Sequence, residues 1–192
     1  IYCQQTTRTI IYKNTLYSNA KDEINSANGI HCWKSDQLMI LQNTISGHRD
    51  GIYFEFVTNS KIEKNNSFNN VRYGLHFMFS NYNKYVANIF RDNGAGVAVM
   101  FSNHISMHRN IFSENWGNAA YGILMKEISD GEVEGNSFSK NTVGIYLEGR
   151  NRIMMRHNHF DDNGWAIKMQ ASCNDNLVEE NNFTEAAKGL RH

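Results

Sequence analysis

Proline is absent from the 192-residue chain, cysteine is scarce at three, and neither sign of charge prevails, with Lys plus Arg and Asp plus Glu at 19 each. Each shortage excludes something. Without proline there is no stiff proline-rich linker, and the balanced charge leaves no basic field to draw the chain onto nucleic acid or an anionic membrane. Nucleic acid is therefore not an expected partner. Cys3, Cys32 and Cys173 are far apart, odd in number and outside any CxxC arrangement, so neither a disulfide framework nor a zinc site is signalled. No window approaches eighteen consecutive apolar residues, and the start, Ile1-Tyr2-Cys3-Gln4, lacks the charged and apolar regions of a signal peptide. The chain does not begin with Met and both ends arrive in mid-pattern. The reading is a single domain over 1–192, a piece of a longer protein, with its clearest repeats over 29–183.

What the sequence does hold is asparagine in excess and a repeat. A glycine followed by an aliphatic residue recurs as Gly29-Ile30, Gly51-Ile52, Gly74-Leu75, Gly96-Val97, Gly122-Ile123 and Gly144-Ile145, with Ala166-Ile167 as a variant. Counted along the chain, the spacings are 22, 23, 22, 26, 22 and 22. A second marker keeps phase: Asn43 with Ile45, Asn66 with Phe68, Asn88 with Phe90, Asn110 with Phe112, Asn136 with Phe138, Asn158 with Phe160 and Asn181 with Phe183. Four repeats add Asn93, Asn115, Asn141 and Asn163 three residues after the aromatic. A fixed period in the twenties marks a solenoid. The Leu-x-x-Leu-x-Leu of leucine-rich repeats is missing, and no helical stripe runs between markers. The expected fold is all-β, a right-handed parallel β-helix with rungs of about 22 residues, the hand following from the rule for parallel crossovers. Successive rungs stack roughly 4.8 Å apart, which predicts asparagine ladders and phenylalanine stacks.

Side-chain parity then sorts the strand after each glycine, because neighbours along a strand face opposite sides. The first position is aliphatic and the third reads Cys32, Phe54, Phe77, Val99, Met125, Leu147 and Met169, so both columns point inward. The second column, His31, Tyr53, His76, Ala98, Leu124, Tyr146 and Lys168, and the fourth, Trp33, Glu55, Met78, Met100, Lys126, Glu148 and Gln170, must face outward. That outward list is richer in aromatics, Met and His than a solvated sheet face, which marks an interaction surface. The one longer spacing places four extra residues in the turn over 115–121 beside the same face, where inserted loops often carry function.

Candidate chemistry follows from these columns. Met78 and Met100 share an outward column on consecutive rungs, with His76 two residues from Met78 and Glu55 one rung earlier. Thioethers with an imidazole form a soft donor set suited to copper, Cu(I) before Cu(II). Tyr53, Tyr73, Trp116, Tyr121, Lys126, Tyr146 and Glu148 form the expected partner-binding surface. The same face also suits a metal-free protein-docking scaffold. His48, His104, His108, His157 and His159 read as solvated or ladder residues, Met107, Met125, Met155 and Met169 as core, Cys32 as a buried inert thiol, and Cys173 as a turn residue without a neighbour. Polysaccharide lyases, hydrolases and epimerases on β-helices need a carboxylate pair, or an Asp with Lys or Arg, in a groove. Here Glu55, Lys126 and Glu148 are read as not stacking on adjacent rungs, and Asp50, Asp92, Asp161 and Asp162 as turn residues, so a glycan-binding or glycan-processing role is the alternative and no enzyme is expected.

The strings Gly47-His48-Arg49-Asp50-Gly51-Ile52-Tyr53-Phe54-Glu55-Phe56, Tyr73-Gly74-Leu75-His76-Phe77-Met78-Phe79-Ser80 and Asn93-Gly94-Ala95-Gly96-Val97-Ala98-Val99-Met100-Phe101-Ser102 resemble the NosD family. So do the stretches over 121–130 and 141–149, and the likeness runs from about Gly29 to Phe183. The resemblance implies a right-handed β-helix exported to the periplasm, with an accessory role in maturing the copper-sulfide centre of nitrous oxide reductase in denitrification. It implies as partners an ABC-type ATPase and permease, a copper chaperone and the reductase itself, with the membrane reached only through the permease. The family supplies no catalytic motif, so the set Met78, Met100, His76 and Glu55 rests on the column reading alone.

Overall fold

A computed structural model describes residues 1–149 and 152–185. Three eight-stranded sheets, all parallel, wind as a β-helix with one strand of each sheet per rung. The first sheet stacks Tyr2–Gln4, Ile30–Trp33, Asp50–Glu55, Tyr73–Met78, Ala95–Met100, Tyr121–Lys126, Val143–Glu148 and Trp165–Gln170. The second stacks Ile10–Tyr12, Met39–Leu41, Lys61–Glu63, Lys84–Val86, Asn103–His108, Ser129–Glu134, Ile153–Arg156 and Leu177–Glu179. The third stacks Thr15–Tyr17, Thr44–Ser46, Asn66–Phe68, Ile89–Arg91, Ile111–Ser113, Ser137–Ser139, His159–Asp161 and Asn182–Phe183.

The corners explain the asparagines. Between second and third sheets the chain bends at one residue of positive φ, among them Lys13, Gln42, Lys64, Ala87, Arg109, Gly135, His157 and Glu180. An inward Asn follows each: Asn14, Asn43, Asn65, Asn88, Asn110, Asn136, Asn158 and Asn181. Along this ladder the backbone N–H and Nδ2 of one Asn both donate to Oδ1 of the next, as Asn88 does to Asn110 at 2.9 and 3.0 Å. The ladder supplies partners that a bent, buried backbone would otherwise lack. A second ladder, Asn70, Asn93, Asn115, Asn141 and Asn163, runs where the third sheet meets the first.

The repeat glycines answer to space. A Cβ on Gly29, Gly51, Gly74, Gly96, Gly122 or Gly144 would stand 2.5–2.7 Å from the carbonyl oxygen of the next rung, so any side chain there would force the rungs apart. Phe90, Phe112, Phe138, Phe160 and Phe183 form a continuous stack with centroids 4.8–5.6 Å apart, the first four buried and Phe183 exposed at its end. The inward columns Ile30 to Ile145 and Cys32 to Leu147 are fully buried.

Two column assignments need correction. Asn66 and Phe68 do not keep the marker phase: Asn65 occupies the ladder, Ser67 pairs with Ile45 and Phe90, and Phe68 turns outward under the Arg91 guanidinium. The adjacent asparagines Asn65-Asn66 make the frame ambiguous by one residue, and one residue is a change of face. Ser67 replaces a ring in the stack and uses its hydroxyl on the Gly74 carbonyl at 2.7 Å. Met169 points inward but is 40% exposed, because among the described residues no further strand follows its own in the first sheet.

Candidate functional site

The outward face of the first sheet gathers the candidate residues, and its register is the one parity demands: Met78 pairs with Met100 on one side and Glu55 on the other, and His76 with Ala98 and Tyr53. Facing outward has not left every residue open. His76 is 6% exposed and Ala98 is fully covered, while Met78, Met100 and Glu55 are half-buried.

His76 is covered because large neighbours converge on it. The Tyr53 and Tyr73 rings lie 5.0 and 4.9 Å from its own, and a chain of edge contacts continues from Tyr53 through His31 to Tyr2. Beneath it sits Asp50, which is not a solvated turn residue: it is completely buried. One rung on, Arg72 grips it with two hydrogen bonds, Nε to Oδ1 at 3.0 Å and Nη2 to Oδ2 at 2.8 Å, and also lies 3.8 Å from Glu23. Burial pushes the Asp50 carboxyl up, but bonding to His76 and Arg72 together with the Arg72 charge outweighs it and holds the group below the ordinary carboxylate value. Asp50 and Arg72 stand one repeat apart in the sequence, and that spacing is the signal for a pair that strand-by-strand reading misses.

The His76 ring stands between two opposite neighbours. Nδ1 is 3.2 Å from Arg72 Nη2, which can only donate, and 3.6 Å from Asp50 Oδ2, which can only accept. Its other nitrogen, Nε2, is buried and has no hydrogen-bond partner, a costly state for a polar atom. Burial also lowers the pKa of His31, whose Nε2 is likewise unpartnered, and raises Tyr53 and Tyr73, which stay protonated at neutral pH.

The remaining candidates lie further along the coil. Lys126 and Glu148 do stack on adjacent rungs, contrary to the column reading, and form a 3.2 Å ion pair; in the sequence they too are separated by a single repeat. Tyr121 and Tyr146 meet at 5.2 Å, and with Trp165 and Lys168 they line a shallow depression under the inserted turn. That turn is clamped through Gly117 and Thr142. Trp116 on its tip is 55% exposed and does not line the depression. Beside the Met column runs a ridge absent from the sequence reading: Phe56, Phe79 and Phe101 stack at 5.1 and 5.2 Å, all at positive φ and all exposed.

On the second sheet His108, Glu132 and Glu134 bring donor atoms within 4.8 Å of one another, a grouping hidden by the four-residue insertion between their rungs. Arg156 already engages both carboxylates, at 2.9 and 3.3 Å, which makes the cluster an ion-pair ladder rather than a vacant ligand set. Cys3 and Cys32, distant in sequence, are register partners on adjacent strands; Cys173 hydrogen-bonds the Leu147 and Gln170 carbonyls.

A family model described as "Periplasmic copper-binding protein (NosD)" matches residues 3–189. No curated protein sequence matches the chain. Among solved structures, the periplasmic alginate epimerase AlgG superposes with a TM-score of 0.79 at 18% identity, over 96% of this chain and 47% of the epimerase. A point mutant of the same epimerase gives 0.82 at 20% identity over 95% and 47%, and the A-module of the Azotobacter vinelandii mannuronan C-5 epimerase AlgE6 gives 0.65 at 14% over 93% and 56%. The chain thus spans about half the length of these epimerases, and at such identity the likeness is one of fold.

Proposed function

Because the chain belongs to the NosD family of periplasmic copper-binding proteins, we propose that it holds copper as cargo on the outward face of its first sheet. The ligands in this reading are His76, Met78, Met100 and Glu55, and the copper is destined for the copper-sulfide centre of nitrous oxide reductase. The observation that carries the reading is His76 Nε2: buried, unpartnered, and on the same strand face as the in-register pair Met78 and Met100.

The donor chemistry fits. Two thioethers and an imidazole favour Cu(I), and the Glu55 carboxylate in register with Met78 adds charge balance. A metal-binding imidazole must offer a lone pair and commonly anchors its other N–H on a carboxylate. Here Nδ1–H turned to Asp50 leaves Nε2 free to ligate, whereas accepting from Arg72 leaves the proton on Nε2. Asp50 and Arg72 therefore set the tautomer on which copper binding depends. The role is capture and release; no bond in a substrate is made or broken.

Tyr53, Tyr73, Trp116, Tyr121, Lys126, Tyr146 and Glu148 would receive the partners: a copper chaperone, the reductase, and an ABC-type ATPase and permease pair. The exposed Phe56, Phe79 and Phe101 ridge favours a second reading, a docking scaffold without metal. Positive φ recurs at this corner on other rungs, at Gln5, Lys34 and Glu127, so it is the bend of the coil; what supports docking is that three stacked rings stand exposed side by side. Glycan processing is less well supported, since Arg72, the cation beside His76, is committed to Asp50.

An anaerobic Cu(I) competition titration against a colorimetric chelator separates these readings. The paired substitution Met78→Ala with Met100→Ala is expected to weaken affinity by at least tenfold. Unchanged affinity removes the ligand set and leaves docking; absence of copper binding with affinity for an acidic oligosaccharide favours glycan processing.

A further inference from the structure

We propose that Cys3 and Cys32 are a disulfide-forming pair that staples the first rung to the second. They are well separated in the sequence yet face each other in register on adjacent parallel strands, both pointing inward. Parallel neighbours lie about 4.8 Å apart, inside the range of roughly 4.4–6.8 Å between Cα atoms that disulfides occupy. The inward column continues as Phe54, Phe77 and Val99, so the two thiols meet only at this end. Burial first, and then the adjoining Cys3 thiol, push the Cys32 thiol far up.

The first rung is where such a staple would matter. Its strands are three residues each, Tyr2, Ile10, Tyr12 and Tyr17 are exposed, and it joins the second rung through residues 18–29, the longest connection between strands among the described residues. Each rung of a solenoid is held by its neighbours, and a cross-link over this span limits how far the first rung can part from the second in the unfolded chain. The compartment rests on the family reading: a periplasmic protein meets oxidants under which disulfides persist.

The chemistry is thiol–disulfide exchange with a disulfide oxidant, R–S–S–R. The Cys3 thiolate, on the outer rung, attacks one sulfur and releases RS⁻, which takes up the proton Cys3 gave up. Cys32, after losing its own proton, attacks the Cys3 sulfur of the mixed disulfide and releases the second RS⁻. Two thiols are oxidised to one cystine, and R–S–S–R is reduced to two RSH. Cys32 is a poor nucleophile while buried, so the second step needs a brief opening of the first rung.

Cys173, on the last rung of the first sheet's side, serves as an internal reference. The full chain is incubated with oxidised glutathione, denatured without reductant, alkylated and weighed. One alkylated cysteine, with a peptide joining Cys3 to Cys32, is expected, and the oxidised protein should melt several degrees above the reduced one. Three alkylated cysteines, or a bridge that includes Cys173, would overturn the proposal. Cys3→Ser with Cys32→Ser, tested in the copper titration, keeps the two questions apart: its affinity should equal that of the oxidised parent, because His76, Met78 and Met100 are untouched.

Discussion

Replacing Asn110 with alanine tests whether the buried asparagine ladder holds the rungs together. Asn110 Oδ1 accepts from the Asn88 backbone N–H at 2.9 Å and from Asn88 Nδ2 at 3.0 Å, while its own Nδ2 donates to the Tyr85 carbonyl and to Asn136 Oδ1, both at 3.0 Å. Alanine strands the Asn88 N–H outright. It weakens the bonding of three further groups: the Tyr85 carbonyl loses this donor, while Asn88 Nδ2 keeps the Ile62 carbonyl and Asn136 Oδ1 keeps the Asn110 N–H. A stranded buried group costs about 1–3 kcal/mol; with the three weakened contacts the loss comes to about 3–4 kcal/mol. At a urea m-value of about 2 kcal/mol/M the midpoint should fall by roughly 1.5–2 M. The assay is urea unfolding followed by circular dichroism, with Asn118→Ala, on the exposed inserted turn, as control. An Asn110→Ala midpoint within about 0.5 M of that control would refute the ladder as a source of stability. A fall in m would instead show the two halves of the coil unfolding separately, as rungs coupled only to neighbours permit.

Gly144→Ala places a methyl 2.5 Å from the Ala166 carbonyl oxygen, a backbone atom that cannot step aside, and should cost about 1–3 kcal/mol in the same assay. Asp50→Asn should weaken Cu(I) binding more than it changes the fold's circular dichroism, because the amide cannot balance Arg72 and can offer its NH₂ to Nδ1 of His76. The same variant should lose the part of the acid sensitivity that Asp50 supplies. The Asp50 pKa is lower folded than unfolded, so its stabilisation is full above the unfolded value of about 3.9 and is lost as pH falls through the folded value; urea midpoints of parent and variant should start to approach one another below about pH 4 and close further as pH falls through the folded value. Lys126→Glu should place like charges against Glu148 and slow association with a partner that uses this end of the face, read by surface plasmon resonance.

Period and parity make most of the scaffold legible in the sequence. The glycine–aliphatic marker locates six rungs because only a residue without Cβ fits under the next rung's carbonyl, and the Asn-x-Phe string locates ladder and stack because both are inward. Reading fails where local sequence is degenerate or where partners sit one rung away. Asn65-Asn66 offers two frames, and only neighbouring rungs choose between them. Asp50 looks like a turn residue since its partner Arg72 belongs to the next coil, and Cys3 and Cys32 look unrelated for the same reason. Lys126 with Glu148 is the plainest lesson: pairs separated by one period are contacts, and they have to be sought across rungs, not along a strand.

That same periodicity bears on how cargo could leave. A buried carboxylate is tolerable on the outer face only because the adjacent rung delivers Arg72 at a fixed height, and the stack leaves neither group much room to move. The first sheet is flanked by the second asparagine ladder on one side and, on the other, by serine hydroxyls that accept from the preceding rung, as Ser102 does from the Ser80 N–H at 3.0 Å, which resists parting His76, Met78 and Met100 by bending the coil. On the proposed ligand set, release would come from chemistry at the ligands: competition by a partner's own donors reaching the half-exposed Met78 and Met100, or return of the proton to His76 Nε2 as Nδ1 turns from Asp50 back to Arg72. A partner approaching over the Phe56, Phe79 and Phe101 ridge would arrive beside the methionine column, which favours transfer by ligand exchange, with the methionines released first and the buried histidine last.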